Sequence, residues 1–248
     1  MGGDPTPEAS HSIVDAVVRG GADIVELGIP FSDPIADGTS IQAAGVRALS
    51  AGTRPRDVLE IARRAKEKHG LPIIIMSYFN ILFSQGVDNF MRQSRKSGVD
   101  GMIVPDLPVD EVGPYSAAAR MNLLDTILLA APTTSPNRMK LLASHSSGFL
   151  YLVSLMGVTG ARESLQEGAV SLVKYAKKYT RGKIPLAVGF GISKPEHVKA
   201  VLEAGAEGAI VGSGIVNQVE SYKNDTEGML SEIERYVNSL KLSTKGSG

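Results

Sequence analysis

The sequence contains no cysteine, which excludes disulfide bridges, thiolate metal sites and a cysteine nucleophile. It has no excess of either charge: 26 Lys and Arg stand against 26 Asp and Glu, a formal net charge of zero. No broad field draws such a protein to nucleic acid or to an anionic membrane, so any anion it binds must be held by local geometry. No apolar run approaches the roughly 18 residues that span a bilayer. The opening MGGDPTPEAS lacks the basic and apolar regions of an export signal. The expectation is a soluble, unexported protein of the cytoplasm. Dinucleotide and metal signatures are missing too. No P-loop occurs, no G-x-G-x-x-G follows the first apolar run, and His11, His69, His145 and His197 have no metal-ligand spacing.

What is present is alternation. In 248 residues, 43% hydrophobic and 21% charged, short runs rich in Val, Ile and Leu are separated by amphipathic stretches of helical period. The runs predict strands at 23–29, 72–78, 101–107, 124–131, 149–155, 185–190 and 208–212. Their near-continuous apolar character suits parallel strands covered on both faces. A related phrase precedes three of them, in GGADIVELG, SGVDGMIVPD and AGAEGAIVGS. Each reads as a glycine that ends a helix before an acidic residue leads into the strand. Thr6 before Pro7 marks a helix start, and the stretch from Ser193 to Glu196 reads as a capping box. Seven strand–helix repeats in about 240 residues favour a closed parallel β/α barrel of the TIM type over an open doubly wound sheet. The expected layout is one domain over 1–242 and a flexible tail over 243–248. No strand is read before the helix at 11–19, so the expected barrel lacks its first strand.

In such barrels the strand C-termini and the loops after them make the site. Glu26 is a carboxylate inside the apolar run Ile24-Val25-Glu26-Leu27. Burial there raises its pKa and makes it a proton acceptor near neutral pH; the plainer alternative is a strand-end ion pair. The loop from Pro30 to Gly38 adds Asp33, a turn residue, and Asp37. Asp37 is placed either to accept a hydrogen bond from a substrate N–H or to form an Asx-turn or cap at the helix that follows. Gly189-Phe190-Gly191 and Gly212-Ser213-Gly214 end the last two strands. Two glycine triplets in those positions predict a phosphate site. The stretch 157–162, GVTGAR, has the composition of a lid.

The stretch ADIVELGIPFSDPIADGTSIQ, from Ala22 to Gln42, closely resembles the signature of tryptophan synthase α subunits. The resemblance continues through GDP (Gly3 to Pro5), Tyr78 with Asn80, PDLP (Pro105 to Pro108), YLVSLMGVTGAR (Tyr151 to Arg162), GFGIS (Gly189 to Ser193) and IVGSGIV (Ile210 to Val216). It implies retro-aldol cleavage of indole-3-glycerol phosphate, a carbon–carbon lyase reaction of tryptophan biosynthesis. Glu26 falls on the family's catalytic glutamate and Asp37 on the aspartate that binds the indole N–H. Tyr78, Ile103, Tyr151, Thr159, Phe190 and Ile210 fall on substrate-binding positions, and Gly160, Gly191, Gly212 and Ser213 on phosphate-binding ones. It further implies no metal and no cofactor on this chain, and an α2β2 heterotetramer with a β subunit that carries pyridoxal phosphate. The family pattern places a short helix and a first strand before the GDP loop, where this sequence has only Met1 and Gly2. Their absence leaves strand edges unpaired and predicts weakened activity. Two alternatives follow from the same residues: a lyase that releases indole without a β partner, and a non-catalytic barrel that only binds ligand or partner.

Overall fold

The computed structural model describes residues 1–154 and 163–245. Among them are two four-stranded parallel sheets, ordered β1-β2-β3-β4 and β5-β6-β7-β8. The first holds β1 (Val25–Gly28), β2 (Ile73–Met76), β3 (Gly101–Ile103) and β4 (Asp125–Ile127). The second holds β5 (Leu129–Ala130), β6 (Leu150–Val153), β7 (Leu186–Gly189) and β8 (Gly208–Ala209). The helices are α1 (Pro7–Arg19), α2 (Thr39–Ser50), α3 (Pro55–His69), α4 (Phe79–Gln85), α5 (Val87–Lys96), α6 (Val112–Met121), α7 (Pro136–His145), α8 (Glu163–Thr180), α9 (Pro195–Glu203), α10 (Ser213–Ser221) and α11 (Thr226–Leu242). The chain resolves into two compact units: residues Met1–Thr126 with Ile215–Asn238, and Ile127–Gly214 with the stretch from Ser239.

All seven expected strands form, shorter than their apolar runs, and one of them is divided. The run at 124–131 breaks at Leu128 into β4 and β5, and the two pieces belong to different sheets. Among the described residues no strand precedes β1; Gly2 donates its N–H to the carbonyl of Gly28 at the end of β1, at 2.9 Å.

In the first unit, β1 and β2 pair in register with Glu26 opposite Ile74, and β2 continues to β3 with Met76 opposite Ile103. The strands are short runs of β-branched residues buried on both faces; Ile73 and Ile75 have no exposed surface. Helices α1 and α7 start where a side chain satisfies one of their free N–H groups. Thr6 caps α1 by accepting from the N–H of Ala9 at 3.2 Å, with Pro7 in the first turn. The face of α1 that carries Ile13 and Ala16 packs on Val219 of α10 and on Met229, Ile233 and Val237 of α11. That spacing, with apolar residues three and four apart, is the helical period visible in the sequence.

The repeated turn phrase has a shared structural basis. Gly21, Gly98 and Gly205 adopt φ of 103°, 76° and 97°, a left-handed backbone that other residues rarely take. The acidic residue that follows ties its strand to the neighbouring one. Asp100 donates its N–H to the carbonyl of Ile73 at 2.8 Å, and its carboxylate accepts the N–H of Ile73 at 2.9 Å. Glu207 does the same with Leu186 in the second unit, at 2.9 and 2.8 Å. Lys66 adds an ion pair to Asp100 at 2.9 Å.

The expected capping box from Ser193 to Glu196 does not form as read. Lys194 is the N-cap of α9 and makes no side-chain cap bond. The N–H of Ser193 instead reaches Nδ1 of His197, one turn further on, at 3.4 Å. An imidazole has replaced the expected carboxylate as acceptor.

Replacing Asp100 with Ala leaves the N–H of fully buried Ile73 without its carboxylate partner and removes the Lys66 pair. The expected cost is about 2 kcal/mol, seen as a fall of roughly 5 °C in the thermal midpoint. An unchanged midpoint would show that this turn does not anchor the sheet.

Candidate functional site

The first unit carries the acidic residues. Glu26 sits in β1 between buried Val25 and Leu27, so the strand that needs apolar neighbours also desolvates a carboxyl group. Burial pushes the Glu26 carboxyl up from its ordinary 4.5 to about 7, and the like charge of Asp37 pushes the same way. At neutral pH the group is close to half protonated, able to give a proton and to take one back. The strand-end ion pair considered from sequence is not found: among the described residues Glu26 makes no salt bridge, and desolvation outweighs the opposing positive charge of the Met1 amino group.

Asp37 lies in the loop between β1 and α2, and burial raises its pKa as well. The helix-cap alternative does not describe it, because the N-cap of α2 is Gly38. Its carboxylate is instead hydrogen-bonded by the Tyr78 hydroxyl, which opposes the upward shift. Tyr78, at the end of β2 and 4% exposed, holds this loop at three points. Its hydroxyl also accepts the N–H of Ala36 at 2.9 Å, and its ring lies 5.2 Å from that of Phe31. The phenol, desolvated by its surroundings, is itself pushed up to about 12 and remains a donor at neutral pH. Ile103, the last residue of β3, is fully buried, and its carbonyl accepts the N–H of Ser77 at 3.0 Å.

Two further residues support this half, and the sequence reading did not single them out. Arg47 on α2 grips buried Asp4 with Nε at 2.7 Å and Nη2 at 2.8 Å, a two-pronged pair, and also reaches Glu220 on α10. The helix that follows Asp37 is thereby fixed to the GDP loop. Asp106 of PDLP accepts the N–H of Phe79 at 2.9 Å and satisfies the start of α4. Forty-three residues separate Asp4 from Arg47, and no local pattern signals the pairing.

The second unit carries the glycine-rich turns. Tyr151 in β6 meets the Phe190 ring edge-on at 6.0 Å. Gly189 has no room for a side chain, since a Cβ there would lie 2.2 Å from the Tyr151 hydroxyl. Phe190 and Gly191 follow with φ of 64° and 87°. Ile210, just after β8, donates its N–H to Val188 at 2.7 Å. Gly212 precedes α10 and Ser213 opens it, which puts them at a helix N-terminus. Thr159 and Gly160, with the rest of the expected lid, lie outside the described residues.

Among the described residues, no group of three or more His, Asp or Glu side chains is arranged to hold a metal ion, and no helix is long and apolar enough to cross a membrane. His69 on α3 pairs with Asp15 on α1 at 2.6 Å.

Comparison with known proteins completes the description. The family model for the tryptophan synthase alpha chain matches residues 1–245. The alpha chain of Methanothermobacter thermautotrophicus is 43% identical over 248 residues, covering 100% of this chain and 91% of the relative. That of Solibacter usitatus is 45% identical over 239 residues, covering 96% and 88%. In three dimensions, a chain of the tryptophan synthase a2b2 complex from Pyrococcus furiosus matches with a TM-score of 0.90 and 39% identity, over 97% of this chain and 94% of that one. The alpha subunit of Legionella pneumophila matches at 0.86 and 34%, over 98% and 89%. The fold class is therefore the parallel β/α barrel of the TIM type, and the protein is a lyase built on it. The chain belongs to the tryptophan synthase alpha chain family and has the alpha-subunit role in tryptophan biosynthesis.

The raised Glu26 carboxyl has a consequence for stability. Between pH 4.5 and about 7 the folded chain keeps a proton that the unfolded chain has released. The unfolded state binds fewer protons there, so this group's contribution to stability falls as pH rises through that window. A Glu26→Gln variant escapes the loss. It is expected to be more stable than the parent at pH 8, by up to roughly 3 kcal/mol, with the difference shrinking toward pH 4. Denaturant titrations at the two pH values measure this, and a variant no more stable at pH 8 would contradict the account of Glu26.

Proposed function

We propose that this chain cleaves indole-3-glycerol phosphate to indole and glyceraldehyde 3-phosphate. The observation that carries the reading is a carboxyl group, Glu26, pushed up to about 7 within β1 with a second carboxylate, Asp37, on the next loop. Breaking the bond between indole C3 and the side chain requires two proton movements. C3 gains a proton, which turns the ring into an electron sink. The adjacent side-chain hydroxyl loses one as its carbon becomes the aldehyde, and the electrons of the broken C–C bond return to the ring. The proton count balances, so one group that is half protonated at neutral pH can serve both movements, and Glu26 takes that role. Asp37 accepts the indole N–H and stabilises the positive charge that develops on the protonated ring. The two carboxyl groups divide the work because their surroundings differ.

Tyr78, Ile103, Tyr151, Thr159, Phe190 and Ile210 are assigned to the indole and glycerol parts of the substrate. Gly160, Gly191, Gly212 and Ser213 are assigned to its phosphate. Backbone N–H groups suit that task in a chain with no net charge, and the left-handed turn at Phe190 and Gly191 supports the assignment. The reaction as written uses carboxyl groups only and calls on no cofactor held by this chain. The partner is a beta subunit in an α2β2 assembly, where pyridoxal phosphate resides. Support comes from the similar chains of Pyrococcus furiosus, two of which were solved as tryptophan synthase complexes.

The test is release of indole from indole-3-glycerol phosphate by the purified chain, with and without a tryptophan synthase beta subunit. Activity is expected to rise with the beta subunit and to fall at least about a hundredfold in Glu26→Gln. A folded chain inactive under both conditions, or a Gln variant as active as the parent, would refute the reading.

A further inference from the structure

In the second unit, one serine side chain reaches two successive backbone carbonyls of the turn after β7. Ser154, directly after β6, is 5% exposed. Its hydroxyl is directed at two successive carbonyls, those of Gly189 at 3.0 Å and of Phe190, and its own N–H donates to Gly189 at 3.2 Å. These carbonyls belong to the two peptide planes on either side of the Phe190 Cα. The φ and ψ of Phe190 are the rotations that relate those planes, so anchoring both carbonyls to one hydroxyl sets the backbone at that residue. The setting is one that Phe190 would not adopt unaided: its φ is 64°, the left-handed region, with Gly191 following at 87°.

The direction of the donors follows from the same geometry. The cis peptide bond among the described residues is Asp4-Pro5, so the planes at Phe190 are trans, and in a trans peptide N–H and C=O lie on opposite sides. With both carbonyls turned toward Ser154, the N–H groups of Phe190 and Gly191 are turned away from it as adjacent donors. Successive backbone N–H groups in a left-handed turn are a natural receptor for an anion. The Phe190 ring is set at the same time, edge-on to Tyr151.

We propose that Ser154 is a positioning residue for the phosphate-bearing end of the substrate: it touches no substrate atom, but holds the Phe190–Gly191 turn in its anion-receiving form. The proposal rests on the assignment of Gly191 to the phosphate, and it adds a side chain that composition alone leaves indistinguishable from an ordinary strand-end serine. A serine that merely satisfied two carbonyls would affect folding stability. A positioning serine affects binding of the phosphate in a chain that remains folded.

The experiment compares Ser154→Ala and Ser154→Cys, which lack the hydroxyl, with Ser154→Thr, which keeps it. Calorimetry with glycerol 3-phosphate gives Kd, and indole-3-glycerol phosphate cleavage gives KM and kcat. Ala and Cys are expected to weaken glycerol 3-phosphate binding and to raise KM by about tenfold, with kcat within about twofold of the parent. Thr is expected to stay near the parent in all three. Unchanged Kd and KM in Ala and Cys, whatever happens to their melting, would overturn the proposal, as would a Thr variant as weak as Ala. A parent chain that fails to bind glycerol 3-phosphate overturns it together with the phosphate assignment. A parent that binds glycerol 3-phosphate yet does not cleave the substrate overturns only the proposed reaction, and the Kd of Ser154→Ala still decides the role of Ser154.

Discussion

A carboxyl group set among apolar strand residues is costly to ionise, and the first unit is arranged around that cost. Parallel strands need Val, Ile and Leu on both faces, and β1 supplies them on either side of Glu26. The same packing that makes the strand stable withdraws water from the carboxyl and moves its proton affinity to the neutral range. A lysine or arginine beside it would have cancelled the effect. Desolvation outweighs the opposing positive charge of the Met1 amino group, while Arg47 on the following helix is engaged by Asp4 and Glu220. Tyr78, a neutral donor with a pKa of about 12, tempers Asp37 without adding charge. Proton chemistry and fold stability are therefore in tension at Glu26, the pattern expected where a residue is kept for function.

The second unit meets a different requirement by a different device. A chain with zero net charge has no general attraction for phosphate, so an anion must be held by directed dipoles. Away from a helix N-terminus, backbone N–H groups do this where the chain takes an unusual conformation, which needs glycine, or a non-glycine residue held by its neighbours. Both occur in sequence here. Gly191 takes its positive φ freely, while Phe190 takes it with both flanking carbonyls bound to Ser154. The gain over an all-glycine turn is an aromatic ring placed at the turn.

Much of this was legible from residues alone, and the parts that were not share a cause. Strand positions followed from apolar runs, and the three left-handed glycines from the repeated turn phrase, because both signals are local. Glu26 stood out as a charge in an apolar run. The break at Leu128 is invisible to periodicity, since the run over 124–131 has no glycine or proline at that point and only pairing separates its two pieces. The cap of α9 shifted by one residue because His197 offers an acceptor that a carboxylate-based pattern ignores. Asp37 had two equal readings until the Tyr78 hydroxyl, forty-one positions later, was seen to engage it. Asp4 with Arg47, and Ser154 with the Phe190 turn, depend on contacts distant in sequence, and their residue types are common at surfaces. Family resemblance recovered the acidic signature and the glycines, whose spacing is distinctive; its motifs contain Asp4, Tyr78, Asp106 and Ser154, but not the contacts by which these residues hold the others in place.

The central claim is that burial places the Glu26 carboxyl in the neutral range, and a direct titration tests it. The side-chain carboxyl carbon of Glu26, labelled with carbon-13 and followed by NMR from pH 3 to 9 with Glu26→Gln for assignment, is expected to titrate with a midpoint of about 7. A midpoint near the ordinary 4.5 would mean that the carboxyl is well solvated, and would remove the physical basis for its proton-transfer role.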